Sequence, residues 1–162
     1  MAAVDYYLKI EGIEGESADS KHKGSIDIES FSWGVTQTGA HGAGGGGGAG
    51  KASFQDFHFV MKVNKATPKL LLACATGEHI KKAVLIARKA GKDQQEYYKA
   101  TMSDLLVSSY QTGGSEGSNT LPTDQISLNF AKIEFEYKEQ KADGTLGGAI
   151  KAGYDIKANK AV

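Results

Sequence analysis

Apolar residues recur at every second position over several stretches of the chain, and this period constrains the fold more than any other feature. In the first stretch Val4, Tyr6, Leu8 and Ile10 are separated by single residues. Successive side chains of a strand point to opposite faces, so a period of two indicates a half-buried strand. The pattern returns at residues 26–35, 57–63, 126–137 and 150–156. The chain is therefore predicted to be mainly β.

Two of these stretches change phase in the middle. Ile26 and Ile28 occupy even positions, whereas Phe31 and Trp33 occupy odd ones, and a similar change falls near residues 131–132. A shift of one residue moves every following side chain to the other face unless the strand bulges or bends. Bent long strands favour a closed or nearly closed sheet. We predict a single-domain antiparallel β-barrel over residues 1–162, with no internal repeat or linker.

One segment, residues 67–77, has the pattern of a helix. Thr67 offers a capping hydroxyl, Pro68 suits the first helical position and Gly77 suits the end. The segment is apolar enough to cover one end or side of the sheet. Cys74 is expected on it as a buried packing residue.

Composition excludes some function classes. The 162 residues carry 19 Lys+Arg and 19 Asp+Glu, so no overall field attracts nucleic acid or an anionic membrane. The single cysteine, Cys74, permits no intramolecular disulfide and favours a reducing compartment. The N-terminus has acidic residues where a cleaved secretion signal needs a basic segment and an apolar run. We expect a protein that folds in the cytoplasm and is exported, if at all, without a signal peptide.

Residues 42–50 are all glycine except Ala43 and Ala49. Strand-like segments flank this run, and a second loop rich in glycine and serine is predicted at residues 108–122. Glycine loses more conformational entropy on ordering than any other residue, so such a run does not hold one conformation unaided. We expect a long loop between two strands that is ordered by a partner.

The same run matches two phosphate-binding patterns, from Gly45 to Lys51 and from Gly42 to Gly47. A P-loop needs Ser or Thr after its lysine to bind magnesium, and Ala52 stands there. Both motifs also open a helix, whereas residues 51–59 have a strand pattern. A small nucleotide-binding protein is therefore kept only as an alternative function.

No catalytic or metal-binding constellation is found. The four histidines, His22, His41, His58 and His79, have no metal-ligand spacing. Cys74 and His79 are close in sequence, but a nucleophile also needs an oxyanion hole, and Cys74 is expected to be buried. We predict no catalytic residues, no metal and no cofactor. The role is contact with other molecules, and a monomeric carrier barrel stays a further alternative.

Several segments follow in order along essentially the whole chain: YYLKIEGIEGES (6–17), SIDIESFSWGVTQTG (25–39), the glycine-rich loop ending GAGK, TPKLLLACATGEH (67–79), ARKAG (87–91), LLVSSYQTGGS (105–115), SLNFAKIEFEY (127–137) and QKADGT (140–145). Together they resemble the Hcp (haemolysin-coregulated protein) family of bacterial type VI secretion systems. The resemblance implies a structural tube subunit that is not an enzyme. A phage or contractile-injection tail-tube subunit is the alternative in the same class.

The resemblance also implies partners and a route. These are copies of the same chain in hexameric rings that stack into a tube, a spike protein, sheath proteins and small effectors in the lumen, with no nucleic acid and no membrane. The subunit is expected to assemble in the cytoplasm and then to be secreted without a signal peptide.

Three groups of residues are assigned roles by this reasoning. Ser32 and Ser30 should point away from Phe31 and Trp33, and we predict that they face the lumen and contact effectors. Phe31 and Trp33 are predicted core or interface anchors. The predicted ring-stacking loop contains Gln37, Thr38, His41, Gly42, Gly44, Gly45, Gly46, Gly47, Gly48, Gly50 and Lys51.

Overall fold

The structure, a computed structural model, describes residues 4–39, 49–89, 94–117 and 119–162. Its strands are β1 (Val4–Ile10), β2 (Ile26–Ile28), β3 (Ser30–Ser32), β4 (Val35–Gly39), β5 (Ala49–Phe54), β6 (Phe57–Lys62), β7 (Ile80–Lys89), β8 (Glu96–Gly113), β9 (Thr123–Gln140), β10 (Leu146–Asp155) and β11 (Lys160–Ala161). One helix, α1 (Thr67–Thr76), follows β6. The prediction of a mainly antiparallel β protein with one short helix is confirmed.

Among the described residues, nine strands form one sheet, in which all neighbouring strands are antiparallel. The order is β11-β10-β9-β8-β7-β1-β2, and β6 pairs with both β9 and β3. β4 and β5 form a separate two-stranded sheet. The long strand β9 pairs with β6 through residues 123–128 and with β10 through residues 132–140. The phase change predicted near residues 131–132 is therefore the point at which β9 exchanges one partner for another.

The other predicted phase change lies between β2 and β3, where Glu29 alone separates the two strands. β2 pairs with β1, whereas β3 pairs with β6. The Glu29 N–H donates to the Val60 carbonyl at 2.8 Å. The segment thus passes from one edge of the sheet to another, although the strand pairs among the described residues do not close the sheet on itself. Closure of the barrel stays a prediction.

The core lies between the inward faces of these strands. Its largest fully buried side chains are Leu8, Ile10, Ile26, Phe57, Phe59, Met61, Leu70, Leu85, Met102, Leu105, Ile126 and Leu128. On β6 they occupy alternate positions, so the intervening residues lie on the opposite face.

Helix α1 ends as the sequence predicts but begins differently. Gly77 adopts a left-handed φ of 69°, and its N–H donates to the Ala73 carbonyl. The predicted hydroxyl cap is wrong, because the N-cap is Ala66 and no side chain caps it. The Thr67 hydroxyl donates instead to Asp124 at 2.7 Å and fixes the helix to β9.

The helix packs against β8 with Leu70 and Ala73 fully buried. Leu71 and Leu72 are exposed, and Cys74 is half-buried rather than buried. The helix covers one part of the sheet, as expected. No helix in the described part of the chain is long and apolar enough to cross a membrane.

The second glycine and serine-rich loop is shorter than predicted. β8 continues through residues 108–113; the register shifts at Ser108, and residues 109–113 pair with β9 from Ser127 to Thr123. Cross-strand pairing outweighs the loop-like composition of these residues. Only residues 114–122 connect the two strands.

Gly15 lies where a larger residue does not fit. A Cβ at this position would lie 2.5 Å from the Ser25 carbonyl oxygen and 2.7 Å from the Ile26 Cα. We expect Gly15→Ala to lower the free energy of unfolding by about 2 kcal/mol, because backbone atoms must shift to admit the methyl group. Urea unfolding followed by Trp33 fluorescence measures this loss. Gly148→Ala is the control, since no heavy atom lies within 4 Å of its Cβ position; equal stabilities of the two variants would contradict the prediction.

Candidate functional site

The outward side of β3, of β6 from His58 to Val60, and of the adjoining parts of β8 (residues 109–111) and β9 (residues 125–129) carries mostly hydroxyl and amide side chains, with His58 and Val60 among them. In one cross-strand row Ser32 lies opposite His58, which lies opposite Ser127. We call this surface the neutral face; it consists of Ser30, Ser32, His58, Val60, Ser109, Gln111, Gln125, Ser127 and Asn129. Within it, His58 carries the one imidazole.

Ser30 and Ser32 are both exposed on this face, whereas Phe31 between them packs against the core. The two serines thus lie on the side of β3 opposite to the Phe31 side chain. Their contact with effectors in a lumen stays a prediction.

Charged groups mark the two ends of the neutral face. At one end Lys62 forms an ion pair with Glu29 at 3.1 Å. At the other end the Asp56 carboxylate accepts hydrogen bonds from the Ser108 hydroxyl at 2.6 Å and from the Asn129 amide at 2.9 Å. The charges at both ends are thus already paired or hydrogen-bonded.

Phe31 and Trp33 differ in their surroundings. Phe31 is half-buried, with its ring stacked on Phe57 at 5.8 Å between centroids. Trp33 lines an open groove with Phe31, Ser32, Tyr98, Phe135 and Ala152, and its indole N–H donates to the Tyr98 hydroxyl at 3.1 Å. Burial raises the pKa of Tyr98, and this hydrogen bond partly offsets the rise. Phe31 anchors the core, while a role of Trp33 in an interface stays a prediction.

The predicted ring-stacking loop continues a hairpin of two strands. Gln37 lies opposite Ala52, and Gly39 lies opposite Ala49. Gln37 and Lys51 are exposed, and Thr38 and Gly50 lie within β4 and β5. The remaining residues assigned to the loop lie outside the described residues: His41, Gly42, Gly44, Gly45, Gly46, Gly47 and Gly48.

The hairpin argues against a phosphate loop. Lys51 lies inside strand β5, which runs from Ala49 to Phe54. A P-loop lysine instead stands at the start of a helix, whose N-terminal N–H groups bind the phosphate. The alternative of a nucleotide-binding protein thus lacks its main structural requirement.

Among the described residues, no three His, Cys, Asp or Glu side chains are placed to bind a metal ion. The His79 imidazole lies 3.2 Å from the Asp104 carboxylate on an exposed surface. Cys74 is half-buried on α1.

A buried cluster around Arg88 joins the segment 14–25 to the sheet, and the sequence did not reveal it. The Arg88 guanidinium donates to both carboxylate oxygens of Asp19 at 3.0 and 2.9 Å, to the Tyr7 hydroxyl at 2.7 Å and to Asp5 at 3.3 Å. These hydrogen bonds hold the pKa of Asp19 at about 2 and raise the pKa of Arg88. Residues 16–24 have the mixed charges typical of a solvated loop, yet Asp19 attaches this part of the chain to the sheet.

The outer side of this cluster is covered by His22. Its ring stacks on Tyr7 with centroids 4.6 Å apart, and its Nε2 lies 2.7 Å from the Glu96 carboxylate. Through Tyr7, Arg88 and Glu96 the segment thus contacts β1, β7 and β8. Its hydrogen bonds and ring contacts attach it to the sheet at several points.

Acid should loosen this attachment. The pKa of Asp19 is about 2 in the fold, below its ordinary value of 3.8, so ionised Asp19 stabilises the folded state. That stabilisation is complete above about pH 5 and is lost as the pH falls towards about 2. We expect the unfolding free energy of the wild type to fall over this range more steeply than that of Asp19→Asn, measured by urea unfolding at successive pH values. Parallel curves would contradict the prediction.

Comparison with known proteins gives one consistent result. The profile of the family described as "Type VI secretion system effector, Hcp" matches residues 7–137. The protein hcp1 of Pseudomonas aeruginosa is 46% identical over 159 residues, which cover 97% of this chain and 98% of the relative.

Solved structures agree. The crystal structure of Hcp1 from Salmonella typhimurium has a TM-score of 0.82 and 37% identity, covering 99% of this chain and all of that one. A type VI secretion system effector from Yersinia pestis has a TM-score of 0.75 and 34% identity, covering 94% of this chain and all of that one.

Proposed function

The chain belongs to the Hcp family and is a tube subunit of a type VI secretion system, and we propose that it assembles as hexameric rings stacked into a tube whose lumen is lined by the neutral face. The family consists of secreted structural proteins and not of enzymes. Because the chain belongs to this family, its assembly into a tube follows from the family itself. The number of subunits, the lumen wall and the specific partners are the proposal.

One observation supports the neutral face as the lumen wall. It is an outward sheet surface of hydroxyl and amide side chains, with His58 and Val60 among them, whose central rows carry no lysine, arginine, aspartate or glutamate. Cargo of either charge meets no fixed repulsion on such a surface. Ser32 and Ser30 lie on it, so they are the proposed effector contacts.

The aromatic groove around Trp33 supports a contact between subunits. Ring assembly of one chain requires two different, complementary patches on each copy. The groove is apolar and open, and nearby Ile150 is 68% exposed. We assign Phe31 to the core and Trp33 to the interface between neighbours.

The further proposed partners are the spike protein, the sheath proteins and small effectors. Assembly is proposed to take place in the cytoplasm, before secretion.

Sedimentation velocity followed by negative-stain imaging tests the assembly. A hexamer that appears as rings supports the proposal. A 17.1 kDa monomer at all protein concentrations would favour a carrier barrel instead.

The lumen contact is tested by Ser32→Gln. The larger amide should fill space that cargo needs, so we expect the rings to persist while co-purification of small effectors falls by about tenfold, which corresponds to roughly 1.4 kcal/mol per site. The effectors are co-expressed from the same secretion gene cluster and counted by mass spectrometry. Ser20→Gln, an exposed serine on the segment 14–25, is the control. Unchanged retention in Ser32→Gln would refute the assignment.

A further inference from the structure

We propose that His58 selects cargo in the lumen, by offering its ring nitrogen Nε2 to an acidic side chain of the effector. This inference rests on the proposed function, because it assumes that the neutral face meets cargo. It adds the chemical class of cargo and a dependence on pH, neither of which follows from Ser32.

The position of His58 is fixed from two sides. It lies on β6 between Ser32 of β3 and Ser127 of β9 in the central row of the neutral face. Its Nδ1 lies 3.1 Å from the Ser127 hydroxyl oxygen, and the side chain is half-buried. This hydrogen bond occupies one ring nitrogen and restrains the ring, while Nε2 has no hydrogen-bond partner within the described part of the chain.

The surroundings of His58 contain no competing charge in the central rows. Ser30 and Ser32 of β3 and Gln125 and Ser127 of β9 face it, and none of them ionises near neutral pH.

The nearest charged groups lie at the two ends of the face. The Asp56 carboxylate is engaged by Ser108 and Asn129, and the Lys62 ammonium is paired with Glu29. A protonated His58 is therefore the one cation on this face without a paired carboxylate, among the residues that the structure describes.

Protonation decides what the ring can do. In the charged imidazole both nitrogens donate, so Nδ1 can donate to Ser127 and Nε2 to an incoming carboxylate. In the neutral ring only one nitrogen donates and the charge is absent. Acidic cargo should therefore bind more tightly as the pH falls through the range in which histidines titrate, whereas uncharged cargo should bind equally throughout.

Two fluorescent peptides test this inference, one of alternating glutamate and serine and a counterpart with glutamine in place of glutamate. Their affinity for the assembled full-length protein is measured by fluorescence anisotropy at about pH 5.5 and about pH 8. The variant His58→Gln keeps an amide but has no titratable ring. His79→Gln is the control, because His79 is exposed beside Asp104, off the neutral face.

We expect the glutamate peptide to bind the wild type and His79→Gln roughly threefold more tightly at the lower pH, as for one partly exposed ion pair. Binding to His58→Gln and binding of the glutamine peptide should not change with pH. A pH effect that persists in His58→Gln, or equal binding of the two peptides at both pH values, would overturn the inference. Sedimentation of the same samples shows whether rings form, so a failure of the proposed assembly is recognised separately.

Discussion

Replacing Arg88 with methionine is expected to lower the free energy of unfolding by about 3 kcal/mol, the loss that follows when one partner of a buried ion pair is removed. The Arg88 side chain is 4% exposed and donates to Asp19, Asp5 and Tyr7. Methionine fills a similar volume but removes the guanidinium donors from the Tyr7 hydroxyl and from the Asp19 carboxylate, which keeps only the backbone N–H groups of Lys21 and His22. Urea unfolding at one fixed protein concentration measures the loss, because assembly makes stability depend on concentration.

Two comparison variants separate charge from geometry. Lys89→Met removes the neighbouring charge on the same strand. Within the described part of the chain, the Lys89 amine donates to the Gln140 side chain at an exposed position and lies over the Tyr97 ring. We expect this substitution to change stability by less than about 0.5 kcal/mol. Arg88→Lys keeps the charge but loses the fork that holds both oxygens of Asp19, so it should recover only part of the loss. If Arg88→Met were as stable as Lys89→Met, the cluster would not hold the segment 14–25 in place.

Local sequence signals predicted the course of the strands well. The apolar positions change phase at Glu29 and at residues 131–132. Before each change one side of the strand is turned towards the core, and after it the opposite side is. In both places the chain exchanges one neighbouring strand for another. Gly77 ends the helix for an equally local reason, since glycine adopts the left-handed conformation without strain.

Contacts between distant parts of the chain were not predictable in the same way. Arg88 and Asp19 are 69 residues apart, and so are His58 and Ser127. Neither pair follows from spacing or composition, because each depends on which strands become neighbours. The alternation around Phe57 and Phe59 does place His58 on the outward face, but only the pairing of β6 with β3 and β9 brings Ser32 and Ser127 beside it.

The start of the helix shows the same limit. Thr67 stands where a helix cap is favoured, yet its hydroxyl bonds to Asp124, which is fully buried on β9. A buried carboxylate needs hydrogen-bond donors, and Tyr110 supplies a second one at 3.1 Å. This tertiary requirement outweighs the local preference for capping.

Deleting Gly44–Gly48 is expected to leave hexameric rings intact and to abolish tube formation. The β4–β5 ladder brings Gly39 opposite Ala49, so residues 40–43 would still connect the two strands. Hairpin loops of four residues are common, and the hairpin should therefore still form. The deletion removes chain that we propose docks onto the next ring, and it leaves the core and the neutral face unchanged.

Sedimentation velocity measures the ring, and negative-stain imaging measures the length of stacked tubes. Replacing the same five glycines with serine is the control, because it keeps the length of the chain and hence its reach. We expect this control to form tubes. If the deletion abolishes tubes and the serine variant does not, stacking depends on the length of the segment and not on its glycine composition. Loss of the hexamer in the deletion variant would instead place the segment in the contact between subunits of one ring. Tubes of wild-type length would exclude it from stacking, and the contact between rings would then have to come from another surface of the subunit.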